Sequence, residues 1–578
     1  MLANGNDTVS YLIKRDWEDA SMATNSIQTS TGRKYLIALV AALGLIPIAL
    51  DATVVNVVLT PIRQALHADV NTAAWIITAY FLANAAFVTI GGYLGNLFGA
   101  KRIFILGLVI FTLGSALCSI STSMEMLIGF RVLQGIGGGI LLPIGPALAF
   151  DSFEKEQRAK ASALVGVPLL LAPIFGPILG GYLNDTFDWH SIFYINLPVG
   201  VVAIILALWA LPRDHFGRAS GARFDIAGLS LSTLGVIAII YGFSLVTRTD
   251  PGTVTATNPN GSIYGWGYWM VWALVGAGAL LLAIFALLSL RVTRDPALDL
   301  RQLARRDFLV ACIFAWATAL FSFGLLVLLP IYFESVLTPG LSAYDTGLAM
   351  VPYGIGSIIG TIGAAALYRA LGPRWVAMLG AAFSAGSAWL LAQVVHPTAT
   401  IAQIVAAAQA HTTVASLAGA DALRWGLFLS GLSVTFIGIP MQTLALEALT
   451  GKALAKASSL YLSTKLIFSS VGVAILTTLL LNYTQSRATT MVGQLQAQSQ
   501  GATPSSDPAV IAALHALLAQ IGSQAGAYAI QNIFWLIFWG SLILVALAFV
   551  LPGRRHVAAA APAPSAEAAE TPAQVVEA

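Results

Sequence analysis

Two ionisable residues stand inside long apolar stretches of this sequence. Asp51 lies in Leu-Asp-Ala-Thr-Val-Val-Asn, and Arg131 begins Arg-Val-Leu-Gln-Gly-Ile-Gly-Gly-Gly. A charge at the centre of a lipid bilayer costs at least ~2.5 kcal/mol, so such a residue normally faces a cavity or a partner. A carboxylate there can exchange a proton or pair with a cation, and an arginine stays charged. We interpret both as candidates for proton coupling; a helix cap for Asp51 and a clamp on backbone oxygens for Arg131 are the structural alternatives.

Four further polar residues are candidates for lining a substrate cavity. Asn56 follows Asp51 in its stretch, and Gln134 follows Arg131. Lys465, in a later apolar stretch, is either a coupling cation, a counter-ion of a carboxylate, or a side chain that extends to the membrane surface. Glu334 ends an apolar stretch and either lines an outward cavity or marks the membrane surface.

The composition identifies the elements that must position these residues. Of the 578 residues, 57% are hydrophobic and only 10% are charged, whereas a soluble globular protein carries roughly 25% charged residues. The apolar residues come in blocks of roughly 20, the length with which an α-helix crosses a bilayer core. The sequence therefore predicts an all-α integral membrane protein with about fourteen transmembrane helices. The blocks span residues 35–58, 72–97, 102–120, 125–149, 161–183, 190–211, 225–247, 268–290, 307–333, 345–368, 375–395, 424–446, 457–483 and 529–551.

An internal repeat divides the predicted helices into two halves. Thr-Ile-Gly at 89–91 recurs at 361–363, and Lys-Ala-Ser at 160–162 recurs at 456–458. Both matches fall in equivalent helices when the halves begin at the first and ninth blocks. We predict two six-helix halves with two helices inserted between them, and a substrate site where the halves meet. The predicted segments are 1–34 (cytoplasmic N-terminal segment), 35–211 (N-terminal half), 212–306 (linker with the inserted helices), 307–552 (C-terminal half) and 553–578 (disordered cytoplasmic tail).

The basic residues predict an orientation. Most of the 29 Lys and Arg residues lie in connections that share one side of the membrane. Because cytoplasmic connections are rich in Lys and Arg, both termini are predicted to be cytoplasmic and the chain to lie in the cytoplasmic membrane. Residues 483–528 then form a large extracytoplasmic loop, with a short helix over 508–521. Its length leaves room for a periplasmic adaptor protein, which the sequence does not identify.

The fifth apolar block combines proline with small residues. It contains Pro173, Gly176, Pro177, Gly180 and Gly181. Proline inside a helix removes a backbone hydrogen bond and kinks the helix, and glycines four residues apart let a neighbouring helix approach closely. Such a helix suits an interface that rocks, and an ordinary transmembrane kink is the alternative.

The sequence also excludes several kinds of protein. It contains no phosphate-binding loop, no metal-ligand spacing and no nucleophile elbow. We therefore expect a protein that is not an enzyme and that holds no cofactor or metal. The net charge of +3 gives no reason to expect a nucleic-acid partner.

These stretches resemble the major facilitator superfamily, and most of all its fourteen-helix drug:proton antiporter branch. The resemblance covers about residues 35–552. Residues 50–56 resemble the first-helix motif, and Arg131 with Gln134 resembles the fourth-helix motif. The resemblance implies that Asp51 is the acid linked to protons and substrate, and that Arg131 takes part in proton coupling.

Three other stretches extend the resemblance. Residues 173–181 are similar to the fifth-helix motif of antiporters, which is associated with exporters. Residues 193–200 are similar to the same branch, and Lys465 stands where relatives often carry a basic residue. Together these matches imply an exporter.

The connection between the second and third helices resembles the cytoplasmic loop motif of the family, with two departures. Gly92, Gly99, Lys101 and Arg102 match the motif, whereas Asn96 stands where the family usually has an aspartate and Leu97 where it often has an arginine. Asn96 can form a hydrogen bond but cannot form an ion pair. The charge-relay latch proposed for that loop therefore lacks its carboxylate here.

The resemblance implies an exporter of small lipophilic or cationic compounds that exchanges them for protons by alternating access. One alternative is an importer or a dedicated carrier of one metabolite, lipid or osmolyte, because a fold does not set its substrate. The other is a membrane sensor or scaffold that has lost transport. Asp51 and Arg131 argue against a scaffold, which has no need of charges inside the membrane.

Overall fold

The computed structural model is almost entirely helical. It describes residues 31–68, 70–154, 157–212, 225–246, 248–250, 262–291, 293, 296, 298–337, 340–399, 403, 417–447, 449, 451–498 and 508–553. The predicted N-terminal segment up to residue 30, most of the linker before the inserted helices, and the predicted disordered tail from residue 554 lie outside these residues.

Long apolar runs form the helices of the N-terminal half. Gly99 separates the second and third helices with a φ of 99°, which non-glycine residues rarely adopt. The Ser123 hydroxyl accepts a hydrogen bond from the Met126 amide and caps the fourth helix. The helices are α1 (Thr31–Ala65), α2 (Val70–Phe98), α3 (Ala100–Cys118), α4 (Met124–Asp151), α5 (Arg158–Thr186), α6 (Ser191–Tyr194) and α7 (Asn196–Ala210).

Two helices and a small ribbon separate the halves. These are α8 (Ile226–Val246), β1 (Thr249–Asp250), β2 (Ser262–Ile263) and α9 (Trp269–Arg291). The two strands are antiparallel, with Thr249 opposite Ile263. The helices α8 and α9 pack on each other and correspond to the predicted inserted pair.

The C-terminal half repeats the helical pattern with longer elements. Gly372, with a φ of 80°, breaks α12 into two parts, with most of the predicted block 345–368 before it and most of the predicted block 375–395 after it. The elements are a 3-10 turn (Leu300–Ala304), α10 (Arg306–Ile331), a π turn (Tyr332–Val336), α11 (Ala343–Ala349), α12 (Val351–Val394), α13 (Ala420–Leu446), α14 (Gly451–Gln498), α15 (Pro508–Leu547) and a 3-10 turn (Ala548–Val550).

Helix pairing follows one plan in both halves. In the first, α1 packs on α5, α2 on α4, and α3 on α4 and α7. In the second, α10 packs on α14, and α12 packs on α13 and α15. Between the halves, α5 packs on α12 and α13, whereas α14 packs on α2 and α4. Each half thus presents its fifth helix to the other, and the α8–α9 pair lies against both α2 and α14.

Among the described residues, 11 helices are long and apolar enough to cross a membrane. One of these spans, Tyr344–Val394, contains two predicted blocks. The predicted all-α membrane architecture is therefore confirmed. Helices occupy each predicted block, and the number of fourteen membrane crossings stays a prediction.

The segment predicted as a large loop over 483–528 is mostly helical. The helix α14 has 48 residues, about 72 Å at 1.5 Å per residue, which far exceeds a bilayer core of about 30 Å. The helix expected over 508–521 is the start of α15, which continues without a break to Leu547. Met491 of α14 is buried with Ile521 and Ala525 of α15, so the two extensions pack on each other.

Basic residues gather at one end of the bundle, which we call the basic end and define by Lys34, Lys101, Arg158 and Arg374. The Lys34 ammonium donates to the Gln157 side chain at 2.6 Å. The Lys101 ammonium donates to backbone oxygens at the end of α7 at 2.7 and 2.8 Å. The sequence predicts that this end faces the cytoplasm.

Candidate functional site

The side chains of Asp51 and Arg131 form an ion pair inside the N-terminal half. Asp51 lies on α1, one turn after Pro47, and Arg131 lies on α4. The Arg131 Nη1 group donates to Asp51 Oδ2, and each side chain is only 1% exposed. The two candidate coupling residues are therefore direct partners, and both charges are withdrawn from solvent.

Gln134 completes this pair from the next turn of α4. Its Nε2 donates to Asp51 Oδ1 at 3.0 Å, and its Oε1 accepts from Arg131 Nη1 at 2.7 Å. Both carboxylate oxygens of Asp51 thus have donors. Three side chains that the sequence places in two separate stretches form one closed network.

The network extends to residues that sequence reasoning missed. Gln134 Nε2 also lies 3.2 Å from the Ser115 hydroxyl of α3, and Asn196 of α7 donates to the same hydroxyl at 3.1 Å. That hydroxyl donates to the Phe193 backbone oxygen at 3.0 Å. The only sequence signal for Asn196 was its place in the stretch 193–200, and Ser115 gave none.

The second helix supports the guanidinium group of Arg131. Its Nε donates to the backbone oxygen of Ile76 at 3.2 Å, and its Cζ lies 4.1 Å from the centre of the Tyr80 ring. An aromatic face attracts a cation, and more strongly in the absence of water. The sequence left two interpretations of Arg131, a partner in proton coupling and a clamp on backbone oxygens. In the structure its side chain pairs with an acid and also donates to a backbone oxygen.

Glycines of α4 bring α2 and α3 close to this network. A Cβ at Gly139 would lie 2.8 Å from Phe87 Cβ, and one at Gly138 would lie 2.9 Å from Asn84 Nδ2. A Cβ at Gly137 would overlap the backbone of Phe111 on α3. Close helix packing accounts for the glycine run after Gln134.

The glycines of the predicted antiporter motif face the helix that carries Asp51. A Cβ at Gly176 would overlap the Thr53 side chain, and one at Gly180 would lie 3.1 Å from Val54 Cγ1. Gly181 faces the other half, because a Cβ there would lie 3.8 Å from Tyr344 Cβ. The side chains of Pro173 and Pro177, like that of Asn56, lie outside the described parts of the chain.

The predicted loop motif joins the two halves by close packing. The Gly92 amide donates to the Ser459 hydroxyl of α14 at 3.0 Å, and a Cβ at Gly92 would overlap the Ala455 backbone oxygen. Gly99 forms the turn between α2 and α3, and Lys101 binds the end of α7 within the same half. Asn96 and Arg102 also interact with neighbouring residues.

Lys465 and Glu334 lie apart from the Asp51 network. Lys465 is half-buried on α14, one turn before Phe468, whose ring stacks on Trp316 at 4.9 Å. Within the described residues, Lys465 has no hydrogen bond or ion pair. Glu334 lies in the π turn after α10, and partial desolvation by the surrounding protein raises the pKa of its carboxyl. The structure does not bring either residue to Asp51.

One functional candidate at the basic end was not singled out by the sequence. The Arg158 side chain of α5 is buried, and its Nη1 donates to the backbone oxygens of Leu446, Glu447 and Leu449 at 3.1, 2.6 and 2.8 Å. These oxygens lie at and just beyond the end of α13, in the other half. Arg158 therefore ties the two halves together at the end of α13.

The described residues contain no cluster of three or more His, Cys, Asp or Glu side chains that could hold a metal ion.

Comparison with known proteins places these features in a family. Residues 41–298 match the Major Facilitator Superfamily. The chain is 30% identical over 430 residues to a multidrug resistance protein B homolog of Mycobacterium tuberculosis, covering 74% of this chain and 73% of the relative. It is 29% identical over 433 residues to the multidrug export protein EmrB of Escherichia coli, covering 75% and 77%.

A third relative covers nearly the whole chain. It is the multidrug export protein EmrB of Haemophilus influenzae, 28% identical over 546 residues, with 91% of this chain and 98% of the relative covered. The fold is similar to that of a solved major facilitator superfamily protein, the proton:xylose symporter XylE. The TM-score is 0.54 at 11% identity, over 91% of this chain and 97% of that one.

Proposed function

The chain belongs to the major facilitator superfamily, a family of membrane transporters, and we propose that it exports small lipophilic or cationic drug-like compounds across the cytoplasmic membrane in exchange for protons. Relatives named as multidrug export and resistance proteins support this choice, since they match most of the chain. Those names favour export of several compounds over a dedicated carrier of one metabolite.

The observation that carries the proton coupling is the buried pair of Asp51 and Arg131. Protonation of Asp51 removes its charge and leaves Arg131 as an unpaired cation in an apolar bundle. Loss of one partner of a buried ion pair costs about 3–5 kcal/mol. The protonated protein is thus driven toward any conformation that hydrates Arg131 or gives it another partner, which links proton binding to a change of shape.

Helix packing supports a route from this pair to the interface between the halves. The helix α1, which carries Asp51, packs on α5 through Gly176 and Gly180. In turn, α5 packs on α12 and α13 of the other half. A shift of α1 on protonation therefore acts directly on a helix of the interface, as rocking of two halves about a central site requires.

In the proposed orientation the basic end faces the cytoplasm, in keeping with the excess of Lys and Arg in cytoplasmic connections. The packed extensions of α14 and α15 then project from the opposite side of the membrane. The two helices have 48 and 40 residues, more than a bilayer core requires, and we propose their extensions as the contact for a periplasmic adaptor protein.

Transport by the purified protein in lipid vesicles tests the proposal. The wild type and Asp51→Asn are compared under an imposed pH gradient, with a fluorescent lipophilic cation as the probe. Asp185→Asn is the matched control, because Asp185 is an exposed acid of the same half. We expect gradient-driven movement in the wild type and the control, and its loss in Asp51→Asn.

The other outcomes contradict parts of the proposal. Gradient-driven movement that persists in Asp51→Asn would move the coupling to another group, of which Glu334 is the first to test. Absence of movement in the wild type, together with transport of a single compound from a metabolite panel, would make the protein a dedicated carrier.

A further inference from the structure

The C-terminal half contains a small polar cavity between α10, α12, α13 and α15. Its volume is ≈ 20 Å³. Ser430 and Ser433 of α13 contribute hydroxyl groups to it, and Phe534 of α15 contributes a ring. The other hydroxyl groups around the cavity belong to Ser322, Ser384 and Ser387.

The contacts of two glycines show which residue of the N-terminal half corresponds to which residue of the C-terminal half. A Cβ at Gly135 of α4 would overlap the backbone oxygen of Tyr80 on α2. A Cβ at Gly431 of α13 would overlap the backbone oxygen of Tyr353 on α12 in the same way. Gly135 and Gly431 therefore occupy equivalent positions in the duplicated halves.

This equivalence places the cavity at the counterpart of the Asp51 network. Gln134 directly precedes Gly135, and Ser430 directly precedes Gly431. The network is built from α1, α3, α4 and α7, which are the first, third, fourth and sixth membrane helices of their half. The cavity is lined by the corresponding helices of the second half, namely α10, the second part of α12, α13 and α15.

The hydroxyl groups of Ser430 and Ser433 have no hydrogen-bond partner in the described part of the protein. These residues are 5% and 4% exposed, and neither hydroxyl hydrogen-bonds to another described residue. Buried hydroxyls in helices usually donate to a backbone oxygen of the preceding turn. Thr435 of the same helix does so, to Leu432 at 2.9 Å. Ser430 and Ser433 instead line the cavity, and a buried polar group without a partner is unfavourable.

We infer that this cavity binds a water molecule, held by the hydroxyls of Ser430 and Ser433. A bound water needs about 10–15 Å³ and two to four polar partners. The cavity provides that volume, and the hydroxyls of Ser430 and Ser433 provide two partners. The Ser384 hydroxyl already bonds to that of Ser541, and the Ser387 hydroxyl donates to the Gly426 backbone oxygen, each at 2.7 Å. None of its lining residues is charged, so an ion bound there would have no counter-charge.

With water in this cavity, the two halves have different polar groups at equivalent positions. In the N-terminal half, polar side chains from four helices meet around an ion pair. In the C-terminal half, the same junction is formed by neutral hydroxyls around water. The polar junction is thus kept in both halves, while a group able to exchange a proton is present at this position in only one.

Hydroxyl-radical footprinting of the purified full-length protein tests the inference. X-ray pulses generate radicals from bound water as well as from bulk water, and mass spectrometry locates the modified side chains. Phe534 lines the cavity and is 1% exposed, whereas Phe104 is 0% exposed and lies in the apolar core of the other half. We expect modification of Phe534 at least several-fold above that of Phe104.

Two footprinting results would overturn the inference. Modification of Phe534 no greater than that of Phe104 would show a dry cavity. Modification of Phe534 that changes when sodium is replaced by choline would show a cation there instead of water. A Ser430→Val/Ser433→Val variant should lose the signal at Phe534, and persistence of the signal in the folded variant would mean that these hydroxyls do not hold the water.

Thermal unfolding of Ser430→Ala gives an independent test, because the direction of the change in melting temperature depends on whether water is bound. If the hydroxyl binds water, its removal lowers the melting temperature. If the hydroxyl is unpaired in an empty cavity, its removal raises the melting temperature and contradicts the inference. Ser463→Ala is the control, since the buried Ser463 hydroxyl donates to its own helix at 2.7 Å.

Discussion

Gly176 of α5 packs against Thr53 of α1, two residues beyond Asp51, and leaves no room for a single additional carbon atom. This contact joins the stretch that resembles the antiporter motif to the helix that carries the buried acid. The position of Asp51 relative to the interface therefore depends on how closely α5 approaches α1.

Gly176→Ala should separate the two helices, because its Cβ would overlap the Thr53 side chain. Overpacking of this kind costs about 1–3 kcal/mol. We expect a comparable loss of unfolding free energy and slower proton-driven transport. Thermal unfolding in detergent and transport in vesicles measure the two effects.

Gly166→Ala is the control for this prediction. Gly166 lies on the same helix, and a Cβ there would meet no atom within 4 Å. Thr53→Ala should restore part of the transport lost in Gly176→Ala, because it relieves the overlap. Equal effects of the two glycine substitutions would show that helix propensity, and not the contact with α1, determines the result.

The ion pair of Asp51 and Arg131 should show strong coupling in a double-mutant cycle. Arg131→Gln leaves Asp51 buried without its cation, so we expect it to lower the unfolding free energy by about 3–5 kcal/mol. In the Asp51→Asn background the same substitution should cost much less, because no buried charge is then left unpaired. Denaturant unfolding of the four proteins gives the coupling energy.

An exposed contact between a histidine and a carboxylate provides the comparison for this cycle. His190 and Asp188 lie 3.2 Å apart at the protein surface, and exposed pairs contribute about 0–1 kcal/mol. Asp188→Asn should therefore change the stability little. Additive losses for Asp51 and Arg131 would mean that the two charges act independently.

The sequence alone identified the membrane class and both charges of the ion pair. Charges inside apolar blocks are conspicuous because each is unfavourable in a bilayer. Their contact was not predictable, since it depends on how α1 and α4 pack. Ser115 and Asn196 were missed because small polar residues are common in apolar helices and give no comparable signal.

Two other features depend on packing that composition does not record. Arg158 looked like one more basic residue of a connection, yet it is buried against α13. The segment 483–528 looked like a loop because it is rich in Gln, Ser, Ala and Gly. The extensions of α14 and α15 pack on each other through residues such as Met491, and this packing stabilises a helical conformation where the composition suggested a loop.

Arg158 should control separation of the halves at the basic end. Its guanidinium binds three backbone oxygens of the other half, among them that of Leu449. Arg158→Gln removes most of these bonds, so we expect a larger population in which the halves are apart at this end. Spin labels on α5 and α13, read by pulsed electron resonance, should show longer distances.

Arg305→Gln is the matched substitution for this measurement, since Arg305 is exposed and its side chain bonds only to Gln302 among the described residues. It should leave the distance distribution unchanged. An unchanged distribution in Arg158→Gln as well would mean that helix packing alone holds the basic end closed.

Lys465 should lower the stability of the protein, because its charge lies in a membrane helix without a partner among the described residues. A charge at the bilayer centre costs about 2.5–3.5 kcal/mol on insertion scales. Because Lys465 is only half-buried, we expect the cost here to be smaller. We expect Lys465→Met to raise the unfolding free energy by about 1–2 kcal/mol.

Lys456→Met is the comparison: the Lys456 ammonium donates to the Pro296 backbone oxygen at 2.7 Å, so its loss should destabilise the protein. Unfolding in detergent measures both, and destabilisation by Lys465→Met would show that its ammonium group has a stabilising partner.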